Sequence, residues 1–193
     1  MSDWPVRAAE PPGSDDTMLV EAARGGDRSA YGRLYDRYAR MVHGILLARV
    51  PPNEVDDLTQ DVFLQAMPRL ASLRDAARFG AWLAAIARNR ANDFFRRAKL
   101  TTELSESLAA EKIEDRAASS SQIAEASAIL EAIRTLPDAY RDTLILRLVE
   151  GMTGLEIAER TGLAPGSVRV NLHRGMQQLR EKLGTRSSNT AAL

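Results

Sequence analysis

The sequence of 193 residues contains no cysteine and only two histidines, and these absences exclude several kinds of chemistry. A chain without thiols has no disulfide, no thiolate zinc site and no cysteine nucleophile. The sequence also has no Gly-rich phosphate-binding loop and no paired acid–base constellation, which argues against an enzyme and against a bound cofactor. Because disulfides are absent, we expect the reducing environment of the cytoplasm.

Aromatic residues and long apolar runs are scarce as well. Aromatics make up 5% of the chain, hydrophobic residues 45%, and alanine, leucine and arginine dominate, a composition that favours helix over sheet. No apolar run approaches the ~18–20 residues of a membrane span and no signal peptide opens the chain, so we expect no membrane insertion. The formal net charge is zero, and only the local distribution of charge carries information about partners.

Segment 79–97 combines a helical apolar pattern with cations and aromatic side chains. Its apolar residues recur at spacings of three and four, so one face of the helix can pack on a core. The cations in and around it are Arg78, Arg88, Arg90, Arg96, Arg97 and Lys99, and the aromatic side chains among them are Trp82, Phe94 and Phe95. Cations neutralise phosphates and aromatic rings stack on unpaired bases, so the pattern favours single-stranded nucleic acid. The alternative is a core helix with a solvated basic face.

A second predicted helix, from Asn53 to Leu70, is acidic at its beginning. Asn53 is a suitable N-cap, and the first turns carry Glu54, Asp56, Asp57 and Asp61. Acids are favoured at a helix N-terminus by its dipole, which is one explanation of the cluster. An exposed acidic docking surface is the other. A metal site fits less well, because no histidine or further carboxylate lies nearby in the sequence.

Composition divides the chain into two helical domains. Residues 1–16 are rich in proline and acids and predict a disordered tail. Helical patterns follow over 17–97 and over 123–184, and these are the two predicted domains. Between them, residues 98–122 lose the apolar face and become acidic, which indicates a flexible linker. The last residues, 185–193, are predicted to be a second tail.

The second domain carries a helix-turn-helix pattern. Thr153 and Glu156 form a predicted capping box, Gly162 suits a left-handed C-cap, and Pro165 suits the first position of the next helix. A short helix, a glycine turn and a longer helix are typical of motifs that place the longer helix in the DNA major groove. An ordinary helical hairpin is the alternative. The exposed residues near the start of that longer helix include Ser167, Arg169, Asn171, His173 and Arg174.

The order of these parts resembles one known family. The matching stretches are EVDDLTQDVFLQAMPRL (54–70), FGAWLAAIARNRANDFFRR (79–97) and LPDAYRDTLILRLVEGMTGLEIAERTGLAPGSVRVNLHRGMQQLREKL (136–183). Over residues 17–183 the chain resembles bacterial RNA polymerase sigma factors of the extracytoplasmic function (ECF) group. The resemblance implies an all-α fold of two small helical domains joined by a flexible linker, the second with a helix-turn-helix.

The resemblance also implies a function and three sets of site residues. A sigma factor binds core RNA polymerase and directs promoter-specific transcription initiation by recognising the −35 and −10 elements and helping to melt the DNA. The implied polymerase-binding residues are Asp56, Asp57, Leu58, Gln60, Asp61 and Phe63. Those implied to bind the −10 element are Trp82, Arg88, Asn89, Arg96 and Arg97. Those implied to bind the −35 element are Ser167, Arg169, Asn171, His173 and Arg174.

The resemblance implies one further partner, and the residues leave two alternative functions open. The family implies an anti-sigma factor that covers the polymerase-docking helix until a signal arrives. The recognition helix is less basic than is common in the family, because Met176, Gln177 and Gln178 stand where arginines are frequent. One alternative is a helix-turn-helix transcriptional regulator that acts without core polymerase, and another is a purely helical adaptor.

Overall fold

The computed structural model describes residues 14–105 and 121–190, and within these ranges every regular element is helical. Three 3-10 turns, Pro52–Glu54, Leu70–Ser72 and Ala76–Arg78, lie in the connections between the second, third and fourth helices. The prediction of an all-α fold is confirmed. The helices are α1 (Ser14–Arg24), α2 (Arg28–Leu47), α3 (Val55–Arg69), α4 (Phe79–Ser105), α5 (Ser121–Arg134), α6 (Asp138–Leu148), α7 (Gly154–Thr161) and α8 (Pro165–Thr190).

Helices α1 to α4 form a first group in which α2 contacts the other three. The carboxylate of Asp27 caps α2 by accepting hydrogen bonds from the backbone N–H groups of Ser29 and Ala30, at 2.8 and 3.1 Å. Leu34 and Ile45 of α2 are fully buried, so this helix runs through the middle of the group. Its hydrophobic spacing therefore fixes where α3 and α4 pack.

Helices α5 to α8 form a second group, and α8 contacts the other three. The predicted capping box begins α7: Thr153 Oγ1 accepts from the Glu156 N–H at 3.2 Å, and the Thr153 N–H donates to Glu156 Oε2 at 2.7 Å. That backbone hydrogen bond also holds the pKa of Glu156 below its usual value. Gly162 ends α7 with a φ of 72°, a left-handed conformation that favours glycine.

Two helix beginnings differ from the sequence-based expectation. Helix α1 begins at Ser14, inside the range 1–16 predicted as a tail, because Asp16 finds partners in α2: its Oδ2 accepts from the Tyr38 hydroxyl at 2.7 Å, and Arg37 pairs with it. Helix α3 begins at Val55, and Asn53 is not its N-cap. Asn53 lies within a 3-10 turn and its amide donates to the Glu54 carboxylate at 2.8 Å.

Two helix ends also differ. Helix α4 continues to Ser105, into the range 98–122 predicted as a linker, and α8 continues to Thr190, into the predicted tail 185–193. Each residue added to an established helix gains one hydrogen bond, so the helix extends readily into a polar segment that contains no proline or glycine. Helix α5 likewise begins at Ser121, inside the predicted linker, and the remaining residues assigned to the two tails and the linker lie outside the described residues.

The two groups pack against each other through α6 and α7, which contact α2 and α4. Buried residues of both groups belong to one continuous hydrophobic core. Leu146 of α6 is fully buried and lies beside Gly44 of α2, where an added Cβ would come within 3.0 Å of the Leu146 Cδ2 atom. Helices approach this closely only when a residue at the contact is very small.

Candidate nucleic-acid interface

Helix α4 is anchored by one face and exposes the other. Phe79, Leu83 and Ala87 are fully buried and recur at intervals of four residues, as a helix packed on a core requires. On the outer face Asn89 and Phe95 are exposed, Phe95 by 50%. Arg96 and Arg97 follow on the same exposed stretch, and Arg96 Nη2 lies 2.8 Å from the carboxylate of Asp93. An exposed ring beside two guanidinium groups suits a single strand.

Trp82 lies at the beginning of α4, beside a shallow recess of about 460 Å³. The indole ring is half-buried and its centroid lies 5.9 Å from that of Phe79, so the core fixes its orientation. The recess is lined by Leu73, Arg74, Asp75, Arg78, Ala81 and Trp82. An aromatic edge with two exposed arginines offers a stacking surface and cations for a phosphate.

The cations of α4 are not equivalent, contrary to the simple picture of one basic face. Arg90 is largely buried, and its Nη2 lies 2.6 Å from the Asp61 carboxylate of α3. Arg88 Nε lies 2.8 Å from the Asp142 carboxylate of α6. The structure therefore places Arg88 in a contact between the two helical groups, apart from the exposed Arg96 and Arg97.

Helix α8 presents its predicted DNA-contacting residues near its beginning. Val168 is fully buried and holds the helix on the second group, so the flanking side chains point away from the core. Asn171 is half-buried, while the other predicted residues are exposed, namely Ser167, Arg169, His173 and Arg174. A recess of about 360 Å³ lies between the beginnings of α7 and α8, lined by Thr153, Gly154, Leu155, Pro165, Arg169 and Leu172.

Helix α3 places its six predicted polymerase-binding residues in three different environments. Asp56, Asp57 and Gln60 are exposed, as a docking surface requires. Leu58 and Phe63 are each only 3% exposed and belong to the core, so they support the helix. The sixth residue, Asp61, is half-exposed and engaged by Arg90 of α4, and it is therefore not a free acid.

Beside α3 lies an apolar groove of about 630 Å³ on the surface of the first helical group. Phe63 and Tyr35 form its floor with ring centroids 4.6 Å apart, and Leu64 is 69% exposed at its edge. The Tyr31 hydroxyl donates to the Phe63 carbonyl at 2.5 Å, and burial raises the pKa of Tyr31 to about 12. The groove lining is completed by Arg28, Gly32, Gln60 and Met67. An exposed apolar groove rimmed by polar residues is typical of a protein-docking site.

Sequence reasoning missed a set of charged residues between the two helical groups. Asp142, with a side chain only 6% exposed, binds Arg49, which follows α2, as well as Arg88. Glu150, just after α6, forms a hydrogen bond with His43 of α2. The His43 Nδ1 atom lies 2.8 Å from the Glu150 Oε1 atom. These pairs are separated by 54 to 107 residues, so no local spacing could have indicated them.

Among the charged residues of this contact, His43 is the one with a resolved shift of its pKa. The hydrogen bond with Glu150 raises the pKa of His43, burial opposes that effect, and the charges of Glu150 and Asp56 add to the rise. The Nε2 atom lies 3.9 Å from the Asp56 carboxylate, and Arg40 Nε lies 3.5 Å from the other oxygen of Glu150. His43 therefore favours the protonated state between two acids, with one competing cation beside it.

The described residues contain neither a metal-binding cluster nor a membrane-spanning helix. No group of histidine and carboxylate side chains there could hold a metal ion. No helix in the described part of the chain is both long and apolar enough to cross a membrane.

An aromatic and basic helix, together with a capped helix-turn-helix, defines an all-helical DNA-binding protein, and comparison with known proteins identifies its family. The family model for sigma-70 region 2 matches residues 34–101, and the model for sigma-70 region 4 matches residues 126–179. The first match spans most of α2 to α4, and the second spans most of the second helical group.

Relatives and a solved structure agree with these matches. The ECF RNA polymerase sigma factor BldN of Streptomyces coelicolor is 34% identical over 167 residues, covering 83% of this chain and 63% of BldN. The RNA polymerase sigma factor CarQ of Myxococcus xanthus is 31% identical over 172 residues, covering 86% of this chain and 95% of CarQ. The chain thus spans less than two thirds of BldN but nearly all of CarQ.

The structure of CnrH in complex with the cytosolic domain of CnrY is similar in fold. CnrH is 25% identical, with a TM-score of 0.59, and the likeness covers 89% of this chain and 99% of that chain. The chain described here belongs to the RNA polymerase sigma factors, and within them to the ECF group.

The raised pKa of His43 gives the first prediction, a pH dependence of thermal stability. The folded-state pKa of His43 lies above the ordinary value of about 6.5, so protonation of the ring stabilises the folded chain. This stability is fully present below about pH 6.5 and is lost as the pH rises through the folded-state pKa. The melting temperature of the wild type should therefore fall as the pH rises above about 6.5, and His43→Gln should flatten this dependence. Circular dichroism melts at several pH values measure it.

His173→Gln is the matched control, because His173 is exposed on α8. That variant should keep the wild-type pH dependence. Identical slopes for the wild type and His43→Gln would show that the His43–Glu150 contact contributes no pH-dependent stability.

Proposed function

We propose that this chain binds core RNA polymerase and directs promoter-specific initiation of transcription. The observation that carries the proposal is the position of the two matched sigma regions. Each contains a helix, α4 or α8, that is anchored by a buried face and exposes cationic side chains on the other. Two separate DNA-facing helices in one chain suit a protein that reads two promoter elements.

In this proposal α8 reads the −35 element in the major groove. Arginine can bind guanine through two hydrogen bonds or hold a phosphate, and asparagine can bind adenine. Arg169, Asn171, His173 and Arg174 are the candidates, with Ser167 at the first turn. A recognition helix with few cations binds duplex DNA weakly by itself, so we infer that polymerase supplies much of the affinity.

In the same proposal, helix α4 binds the −10 element in its single-stranded form. Flipping a base out of the duplex costs a few kcal/mol, which stacking and phosphate contacts must offset. The recess beside Trp82 is a candidate receptor for one flipped base, and Asn89, Arg96 and Arg97 line the path of the strand. Arg88 can bind the −10 strand only after its ion pair with Asp142 has broken.

The polymerase-docking surface consists of the exposed residues of α3 and the adjoining groove. Asp56, Asp57 and Gln60 supply acids and an amide for a basic partner surface, and Leu64 and Met67 supply apolar area. Leu58 and Phe63 act by holding α3 in place. The protein thus acts by binding, without catalysing a reaction, and we place it in the cytoplasm with polymerase and promoter DNA.

The same groove suits a protein inhibitor. CnrH, the solved structure of similar fold, is in complex with the cytosolic domain of CnrY. We infer that an anti-sigma factor covers the groove between Tyr35, Phe63 and Leu64 together with the acidic beginning of α3, and that it competes with core polymerase. An inhibitor that binds simultaneously with core polymerase would contradict this inference.

The test of the proposed function is in vitro transcription with core polymerase on duplex promoters and on the same promoters with a pre-melted −10 bubble. The wild-type chain should start transcription from a restricted set of duplex promoters. Replacing Arg96 and Arg97 together with alanine should lower initiation on duplex templates by about tenfold or more, since 1.4 kcal/mol of lost binding is already tenfold. The pre-melted bubble should restore most of that loss.

Two outcomes would contradict this account. Equal defects on both templates would assign Arg96 and Arg97 to folding or docking. A wild-type chain that binds duplex promoters tightly and has no effect on core polymerase would instead be a helix-turn-helix regulator that acts alone.

The docking surface gives a separate prediction. Asp57→Arg reverses a charge that lies exposed on α3, so binding to core polymerase should weaken by about tenfold or more while the melting temperature changes little. Asp57 is a better position for this test than Asp61, because Asp61 forms an ion pair with Arg90 of α4 and its replacement would also disturb the fold. Fluorescence anisotropy of the labelled chain with core polymerase measures the Kd.

Glu159→Arg on α7 is the matched control, since Glu159 is also an exposed acid on a helix. It should bind core polymerase as the wild type does. Unchanged affinity of Asp57→Arg would remove α3 from the docking surface, and equal losses in both variants would indicate a non-specific effect of charge.

A further inference from the structure

An apolar side chain lies among polar ones on the outward face of α8. Val170 is 42% exposed. Residues three and four positions apart are neighbours on a helix surface, and the neighbours of Val170 at these spacings include Ser167, His173 and Arg174, all of them exposed. None of the residue roles assigned so far uses this valine, although it lies within the segment that is proposed to face DNA.

Helix geometry turns Val170 directly away from the core. Val168 and Leu179 of α8 are buried, and Leu172 is partly buried against the same core. Successive residues of an α-helix are rotated by about 100°, so Val170 lies about 160° around the axis from Val168 and Leu172, and about 180° from Leu179. The surface of α8 that projects furthest from the second helical group is therefore centred on Val170.

Two of the polar candidates of α8 lie on its flanks. Arg169 borders the recess between the beginnings of α7 and α8, and Asn171 is half-buried. When a helix lies in the major groove, its outermost face meets the base edges, and its flanks lie closer to the phosphates on either side. Val170 is thus placed opposite base edges, at the centre of the readout surface.

The fold does not explain why valine occupies this position. A β-branched side chain is a poorer helix former than alanine, and at 42% exposure Val170 adds little to the core. Gly166, one turn earlier, is not required by the fold either: a Cβ added there would meet no atom within 4 Å, and its φ is not left-handed. Because Gly166 has no side chain, a base edge can approach the helix closely beside Val170.

Among the four bases, thymine is the chemical match for an apolar side chain in the major groove. It presents its C5 methyl group there, whereas adenine, guanine and cytosine present hydrogen-bond donors and acceptors. Valine offers neither a donor nor an acceptor from its side chain, so against those edges it would displace water and leave polar groups unpaired. Against a thymine methyl group the same contact removes apolar surface of both partners from water.

We propose that Val170 selects a thymine in the −35 element by packing against its C5 methyl group, with Gly166 leaving room for the base edge. The inference rests on the proposed function for the identity of the element, and it adds a chemical feature that the element must carry. The thymine can belong to either strand. Discrimination at this base pair then depends on a methyl group, and the hydrogen bonds of Arg169, Asn171 and Arg174 act on its neighbours.

The test removes that methyl group from the DNA. The chain is combined with core polymerase, and the probe is a promoter that the wild type selects from genomic fragments, with its −10 region pre-melted so that strand opening does not limit binding. Each thymine of the −35 element is replaced in turn with deoxyuridine, which lacks only the C5 methyl group. One such replacement should raise the apparent Kd of the wild-type complex by about three- to fourfold, the factor expected for the burial of one methyl group.

Three variants connect the effect to Val170. Val170→Ala is too short to reach the methyl group, so the thymine and deoxyuridine promoters should bind it equally, whereas Val170→Ile keeps a branched apolar side chain and should keep the wild-type ratio. Val149→Ala is the matched control, because Val149 is 51% exposed at the end of α6, and it should also keep the ratio. Each comparison is a ratio of two Kd values for one variant, so a general change in polymerase affinity cancels. Far-UV circular dichroism checks that each variant keeps its helices.

A second probe places the methyl group on a different base. The sensitive thymine–adenine pair is replaced with cytosine–guanine, and then with 5-methylcytosine–guanine, which carries a methyl group at the same place in the major groove. For the wild type, methylation of that cytosine should lower the apparent Kd by about three- to fourfold. For Val170→Ala it should leave the Kd unchanged.

The outcomes separate this reading of thymine from the proposed function. A wild type that starts transcription but tolerates deoxyuridine at every thymine of the −35 element would overturn the role of Val170 alone. A sensitive thymine whose ratio persists in Val170→Ala would assign the methyl contact to another residue and so contradict the proposal. A wild type that binds no core polymerase would overturn the proposed function. The same deoxyuridine series on duplexes that the free chain selects at low salt, where phosphate contacts are strongest, would then decide the role of Val170, and a chain that selects no duplex would overturn both.

Discussion

The burial of Asp142 is the constraint on which the arrangement of the molecule depends. A carboxylate removed from water carries a penalty of several kcal/mol unless cations and hydrogen bonds compensate it. Here the compensation comes from Arg49, just after α2, and from Arg88 of α4, so α6 must lie where both guanidinium groups reach it. The position of the second helical group on the first, and of the helix-turn-helix with it, follows from this requirement.

Helix α4 shows how one helix divides its side chains between structure and function. Its buried face joins the core through Phe79 and Leu83, and Arg90 ties it to α3. Arg96 and Arg97 lie beyond these anchors on exposed turns. A count of cations therefore overstates the nucleic-acid surface, because Arg88 and Arg90 pair with carboxylates of other helices and hold the fold together.

The features predicted correctly from the sequence are local ones. Thr153 and Glu156 cap the same helix, and Gly162 ends it, so three residues within ten positions carry the whole signal. The helical spacing in α4 is equally local. Asp142 and Glu150 could not be found in this way, because their partners lie in the other helical group, and an isolated Asp or Glu is ordinarily predicted to be solvated. The expected Asn53 cap was wrong because two prolines before it produce a 3-10 turn.

The central claim is that Arg49 and Asp142 are coupled across the two helical groups. A double-mutant cycle with Arg49→Gln, Asp142→Asn and the double variant measures that coupling from urea unfolding of the full chain. The account predicts a favourable coupling free energy of about 1–3 kcal/mol, in the range found for residues in direct contact. Additive effects, with a coupling free energy near zero, would show that the two groups are not held together by this pair.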